Sequence, residues 1–217
     1  IMVKNAVKKA KKIITVSKFS KNEIENYYNI KDVEVIYNGY EHINRTKSDD
    51  KIFQKLKGIE KNKYFFTLGT IQKNKNIEWI LQVARLNPDK TFVITGYMNQ
   101  ENIKFDLKNV IYTGYIQDEE LKALMENCKA YIIPSFYEGF GIPPLEAFAL
   151  GKNVIASDIP VFHEVFEDEV KYINPYEYNV NLNDLVDSKN RQKILDKFSW
   201  KKSAKKLLNI IEEQVKI

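Results

Sequence analysis

A chain of 217 residues, 44% hydrophobic and 12% aromatic, has material for one full domain and part of another, and its composition is globular rather than disordered. Its net charge of +5 comes from interspersed Lys, Arg, Asp and Glu with no ladder of basic and aromatic residues, which argues against a nucleic-acid-binding module. A single cysteine, Cys128, excludes an internal disulfide framework and fits a reducing cytosol, and no run of about 18 or more apolar residues marks a transmembrane span.

In chain order, Val3, Ala6, Val7 and Ala10 fall at helical spacing within the basic stretch 4–12, and Ile13 to Ser17 reads as a buried strand. Ser20 and Glu23 have the spacing of a capping box, with Phe19 and Ile24 as its hydrophobic staple, so a helix is expected to be capped at Ser20. Val33 to Ile36 reads as a second strand, ended by Asn38-Gly39. Residues 1–43 therefore read as the last β-α-β of a domain whose other strands have no counterpart here. Ile13, Ile14, Val16, Val33, Val35 and Ile36 then need cover from upstream sequence or a separate chain.

The polar, lysine-rich residues 44–62 read as an interdomain linker. Strands are expected at 64–68, 91–95 and 110–112, alternating with helices led by Ile77, Ile80, Leu81 and Ala84 and by Leu121, Leu124 and Met125. Cys128 ends the second of these as a buried structural thiol. The loop 69–76, with Lys73 and Lys75, lies between a strand end and a helix start, where α/β sheets bind phosphates. His42 and His163 are far apart in sequence and lack partners at ligand spacing, so no zinc site is expected, and no Asp-x-Asp motif offers a magnesium clamp. From Ser199 an amphipathic helix carries Trp200, Ala204, Leu207, Leu208, Ile211 and Val215 on one side.

The richest stretch is 131–160. An apolar strand ends at Pro134, a loop with Gly139 and Gly141 follows, and Pro143-Pro144 is expected to open a short helix from Leu145 to Leu150. Gly151 sits where a helix C-cap is wanted, and Val154 to Ala156 resumes as a strand, giving a βαβ unit. Glu138 and Glu146 bracket the loop with seven residues between them. Glycines allow close backbone approach, and a helix start after Pro144 would aim free N–H groups at a phosphate. The carboxylates would be repelled by that phosphate, so hydroxyls at the two ends of one ligand are their natural donors. A sugar, a diphosphate and a ribose in a row fit this order. The dinucleotide fingerprint does not fit, because Pro144 stands where its third Gly or Ala is required.

Glu138 to Glu146, E-G-F-G-I-P-P-L-E, resembles the E-x7-E signature of retaining GT-B glycosyltransferases of family four, the glycogen-synthase and lipopolysaccharide-mannosyltransferase kind. ITVSKFSKNEI, VIYNGYE, LGTIQKNKNI, YTGYIQDEEL and SDIPVFHEV resemble the same family in the same order, over nearly the whole chain. The resemblance implies an α/β fold of GT-B type, a Rossmann-like parallel sheet flanked by helices. Residues 1–43 would end the N-terminal acceptor domain, residues 63–198 would be the C-terminal nucleotide-sugar-binding domain, and the helix of 199–217 would pack back towards the N-terminal domain.

The same resemblance makes Glu138 and Lys75 the candidate catalytic pair. It assigns Gly69, Thr70, Lys73, Gly139, Phe140, Gly141, Ile142 and Pro143 to the donor sugar and diphosphate, and Glu146, Leu145, Tyr115 and Ile116 to the nucleoside. Thr70 and Asn74 stand where the family usually has an arginine, leaving Lys73 as the neighbouring charge that can compensate. The implied function is transfer of a hexose, with retention and without metal or other cofactor, from a GDP- or UDP-hexose to a glycan or lipid-linked acceptor in cell-surface polysaccharide biosynthesis. The alternative is a non-catalytic nucleotide-sugar-binding module or one subunit of a split enzyme. The lone chain is expected to be catalytically weak, its partners being the donor, the acceptor and the missing domain. A cytoplasmic location is expected, and the basic stretch 4–12 leaves peripheral contact with the inner membrane surface open.

Overall fold

The computed structural model describes residues 2–69, 72–97 and 106–215. It begins with helix α1 (Met2–Lys9), strand β1 (Ile13–Thr15), helix α2 (Lys18–Tyr28) and strand β2 (Val33–Val35). β1 and β2 pair in parallel, Ile13 opposite Val33 and Thr15 opposite Val35, the arrangement a crossover helix permits. Val33 is buried, whereas Ile14 is 38% exposed. The cap of α2 lies three residues before the expected one: Ser17 Oγ accepts from the Ser20 N–H at 3.0 Å. Ser20 is instead inside the first turn, its hydroxyl donating to the Gly139 carbonyl at 3.2 Å. Local spacing cannot report a bond across 119 residues.

Two short helices follow, α3 (His42–Arg45) and α4 (Ile52–Lys55), which bury Ile43 and Ile52. The main sheet comprises β3 (Tyr64–Leu68), β4 (Thr91–Thr95), β5 (Val110–Tyr112), β6 (Ala130–Ile133), β7 (Asn153–Ser157) and β8 (Lys171–Ile173). Its order is β5-β4-β3-β6-β7-β8, and every neighbouring pair is parallel. The winding runs outward from β3 in one direction and from β6 in the other. The strand order therefore reverses between β3 and β6, and the crevice outside their carboxyl ends is where sheets of this kind bind ligands.

Side chains alternate between the faces of the sheet with period two. Phe65, Phe92, Ile94 and Ile132 pack under helix α5 (Ile77–Leu86) with Trp79 and Ile80. Phe66, Val93, Tyr131 and Ile133 face helices α6 (Asp118–Glu126), α7 (Ile142–Ala149) and α8 (Pro160–Phe166), where Phe148, Phe162 and Phe166 close the layer. Cys128 belongs to this layer, and burial pushes its thiol up to about 12, which leaves it an inert core group. α7 ends as expected: Gly151, at φ +80°, donates to Phe148 O at 3.1 Å, and the Lys152 N–H reaches Ala147 O at 3.0 Å.

The chain finishes with α9 (Arg191–Leu195) and α10 (Trp200–Val215). α10 lies against residues 34–41: Ser203 Oγ donates to Tyr37 O, Lys206 Nζ reaches Val35 O at 2.9 Å, and the Trp200 N–H donates to Glu41 Oε2 at 2.9 Å. Its apolar stripe is not buried as the pattern suggested. Leu207, Leu208, Ile211 and Val215 are exposed, and Ile210 is the buried residue of the helix. The hydrogen bonds to residues 34–41 come from the first two turns, and beyond them Ile210 alone of the helix is buried. No helix of the described residues is long and apolar enough to cross a membrane.

Glu169 fastens the approach to α9. Its carboxylate accepts from Ser188 Oγ at 2.6 Å and from Asn190 N and Nδ2 at 3.0 and 2.7 Å, and these bonds hold its pKa down to about 2. The ordinary value is 4.5, so the stabilisation is fully present above pH ~4.5 and is lost as pH falls through about 2. Glu169→Ala should lower the melting temperature at pH 7, and the difference from the parent chain should shrink as pH falls from about 4.5 and vanish below pH 2. A difference that is constant with pH would assign the effect to packing.

Candidate active site

The crevice between β3 and β6 is built from two loops locked to each other. Beyond β3, Gly69 N–H donates to Thr95 O at 2.7 Å, and the chain lies so close to Gly96 that a Cβ there would meet Gly69 O at 2.1 Å. Lys73–Lys75 then forms a single 3-10 turn, stopped by Asn76 at φ +52°, a conformation asparagine tolerates better than most side chains. Asn76 is buried, and its Nδ2 donates to Pro134 O at 3.0 Å and Pro175 O at 2.9 Å, joining the loops after β6 and β8. Asn74, in the place of the expected arginine, also serves this junction. Its carbonyl accepts from Phe136 N at 2.8 Å and its Nδ2 donates to Tyr137 O at 3.2 Å.

The locked loops bring Lys75 and Glu138 together. Lys75 Nζ lies 2.7 Å from Glu138 Oε1, and Ser135 Oγ donates to the same oxygen at 2.8 Å. The side chains are 23% and 11% exposed, so the pair is largely withdrawn from water yet reachable from the crevice. A cation and a carboxylate placed so can exchange partners with an incoming anion and an incoming hydroxyl.

The helix after this loop starts three residues earlier than expected. Gly141, at φ +99°, caps α7, and a Cβ on it would lie 2.7 Å from the Phe162 ring. Ile142 is thus the first helical residue, and Pro143 and Pro144 occupy the positions whose N–H groups were expected to face a phosphate. Prolines have none. Leu145 N–H already donates to Gly141 O at 3.3 Å. The amides available to an anion at this end are therefore those of Gly141 and Ile142, ahead of the prolines. The Gly139 carbonyl is held by Ser17 Oγ at 2.7 Å, together with Ser20.

Glu146 lies one turn into α7 and is 8% exposed. Burial pushes its carboxyl above the ordinary range, and the neighbouring His42 opposes that shift. His42 Nε2 stands 2.5 Å from Glu146 Oε1, and Trp200 Nε1–H donates to His42 Nδ1 at 2.8 Å. Sequence spacing was read for metal ligands, and it gave no sign of the hydrogen-bond partners of either histidine. His163 Nε2 stands 2.6 Å from Asp158 Oδ1, with its ring stacked on Tyr172 at 4.0 Å.

The remaining predicted residues divide by position. Lys73 is exposed, and Ile142 and Pro143 are half-buried beside the crevice. Phe140 is a core ring between Tyr37 and Phe198, and Leu145 is fully buried, so only their backbones can reach a ligand. Tyr115 is 72% exposed, and Ile116 packs against the core. The Gly114 carbonyl is already engaged by Gly96 N–H at 2.9 Å, leaving the Tyr115 and Ile116 backbones to meet a base. Thr70 lies outside the described residues. Sequence reasoning missed Ser135, Asn76, His42 and Trp200. Asn76 carried a signal, an asparagine directly before a helical pattern, whereas nothing local marked His42.

A family model described as glycosyl transferases group 1 matches residues 48–214. The chain belongs to that family. This group 1 member is 36% identical over 185 residues to the O-antigen chain mannosyltransferase RfbU of Salmonella typhimurium, a match covering 80% of this chain and 50% of RfbU. It is 30% identical over 177 residues to O-antigen chain mannosyltransferase B of Escherichia coli, covering 73% of this chain and 46% of that protein. The chain thus spans about half the length of these curated relatives. Among solved structures, sucrose-phosphate synthase from Thermosynechococcus elongatus superposes with a TM-score of 0.80 at 18% identity, over 97% of this chain and 60% of the synthase. The GT-B type fold expected from the sequence is the fold observed, a six-stranded parallel sheet flanked by helices.

Proposed function

We propose that this chain is the donor-binding part of a retaining, metal-independent hexosyltransferase that uses a GDP- or UDP-hexose and serves cell-surface polysaccharide synthesis in the cytoplasm. The observation that carries the reading is the Lys75–Glu138 pair at the β3/β6 crevice, with Glu146 on the helix that follows. Arrival of a diphosphate at Lys75 releases Glu138 Oε1 to accept from a hexose hydroxyl. Glu138 then faces the sugar as positive charge develops on it, while Lys75 and the Gly141 and Ile142 amides take up the departing negative charge. Glu146 accepts from the ribose hydroxyls. The two O-antigen mannosyltransferases support a hexosyl donor and a glycan or lipid-linked acceptor. In this reading residues 63–198 hold the donor and residues 1–43 belong to the acceptor side.

Asn74, spent on loop contacts where an arginine is expected, favours a second reading, a nucleotide-sugar-binding module without transfer activity. Calorimetric titration with UDP, GDP and ADP, then with their hexose conjugates, tests the shared part of both. One base should be preferred, and Glu146→Ala should abolish the preference. Absence of binding to all three, or a Glu146→Ala chain that binds as the parent does, would overturn the donor-site assignment. Transfer to water or an acceptor then separates enzyme from module.

A further inference from the structure

We propose that His42 and Trp200 form a positioning relay that sets the Glu146 carboxylate for the ribose, an inference that rests on the reading of Glu146 as the ribose-binding group. The indole Nε1–H can only donate, so at 2.8 Å it obliges His42 Nδ1 to present a lone pair. The imidazole is then neutral with its proton on Nε2, which donates to Glu146 Oε1 at 2.5 Å. One carboxylate oxygen is anchored and the carboxylate plane fixed, while Oε2, to which no other described residue donates, is left for the vicinal diol of the ribose.

The relay answers a specific difficulty at this position. Glu146 is buried, and Asp118 adds to the burial in disfavouring its charged form. A protonated carboxyl could offer a donor where the diol needs an acceptor. A neutral N–H donor stabilises the carboxylate without placing a competing cation beside it. The three residues come from α3, α7 and α10, and the Trp200 end is itself fixed by its N–H bond to Glu41. The ribose end therefore depends on the seating of the first turn of α10, although Trp200 is 54 residues beyond Glu146 in sequence.

The test is equilibrium titration of the 217-residue chain with the preferred nucleoside diphosphate and with its 2′,3′-dideoxy analogue. The parent should prefer the ribonucleotide by roughly tenfold or more, the worth of one hydrogen bond to a charged group. Glu146→Gln should shrink that ratio to within about threefold. His42→Phe should match it, while His42→Gln, which keeps a donor near the Nε2 position, should restore most of the ratio. Trp200→Phe should fall between. In His42→Phe the pH above which ribose is preferred should also move upward, because the opposing influence on Glu146 is gone. A parental ratio and pH profile in His42→Phe, alongside loss in Glu146→Gln, would overturn the relay and leave the donor reading intact. Equal weakening of both ligands in His42→Phe would make His42 structural and overturn the relay as well. A parent chain that binds nucleotide without preferring ribose would remove the role of Glu146, and the relay with it.

Discussion

Lys75→Met is expected to weaken nucleoside diphosphate binding by at least tenfold and, in the same protein without ligand, to lower stability by about 2–4 kcal/mol. The two losses have different origins. In the empty crevice Lys75 neutralises Glu138, whose carboxylate is 11% exposed and otherwise bonded to Ser135 alone among the described residues. Removing the cation leaves a largely buried charge with a single hydroxyl, and single deletions from buried pairs are costly for that reason. Removing both charges is far cheaper. Lys75→Met combined with Glu138→Gln should recover most of the stability in a urea melt, while diphosphate affinity stays low because the cation is still missing. Recovery of affinity in the double variant would show that Lys75 acts on Glu138 and not on the ligand.

Asn76→Ala is expected to lower the melting temperature by roughly 6–12 °C, from a loss of about 3 kcal/mol in a chain of this size. Asn76 satisfies two buried carbonyls, of Pro134 and Pro175, and holds a left-handed backbone at φ +52°. Alanine leaves both carbonyls unpaired and adds strain of about 1 kcal/mol. Asn76→Gly relieves the strain but not the missing bonds, so it should recover only about a third of the loss. Both variants should also weaken diphosphate binding, since Asn76 directly follows Lys75 and fixes the loop that carries it. Differential scanning calorimetry on the three chains measures the split. Equal melting points for the parent and the alanine variant would mean that the two carbonyls find other donors.

The parts of this protein that were legible in its sequence are those specified locally. Tyr64–Leu68 and Thr91–Thr95 are unbroken strand-forming runs, and both strands form with the expected limits. The E-x7-E stretch announced the loop and helix, and Gly151 announced its end. The misread features share one property, dependence on something distant. Ser20 has the spacing of a cap, but its hydroxyl is drawn to Gly139 and Ser17 caps in its place. Pro143-Pro144 suggested a helix start, but Gly141, free to adopt φ +99° under Phe162, starts the helix first. His42 was weighed only for metal ligation, because its hydrogen-bond partners are 104 residues away at Glu146 and 158 residues away at Trp200. The α10 stripe was sound as a pattern, yet a pattern says which face is apolar and not what will cover it.

α2 buries none of its own residues. Its amino end is fastened to the rest of the molecule by one half-buried ring, Phe19 against the core and Tyr137, and otherwise by polar bonds: Glu164 accepts from Lys18 N at 2.7 Å and Phe19 N at 2.9 Å, and the hydroxyls of Ser17 and Ser20 hold Gly139 O. Water can replace each of these bonds at a net cost of about 1–3 kcal/mol, whereas parting β3 from β6 would expose aromatic core. The molecule therefore carries a seam, a line along which it can breathe without melting. That seam runs through the peptide next to Glu138, so whatever steadies α2 also steadies the acid at the mouth of the crevice, and a guest in the crevice returns the favour by linkage.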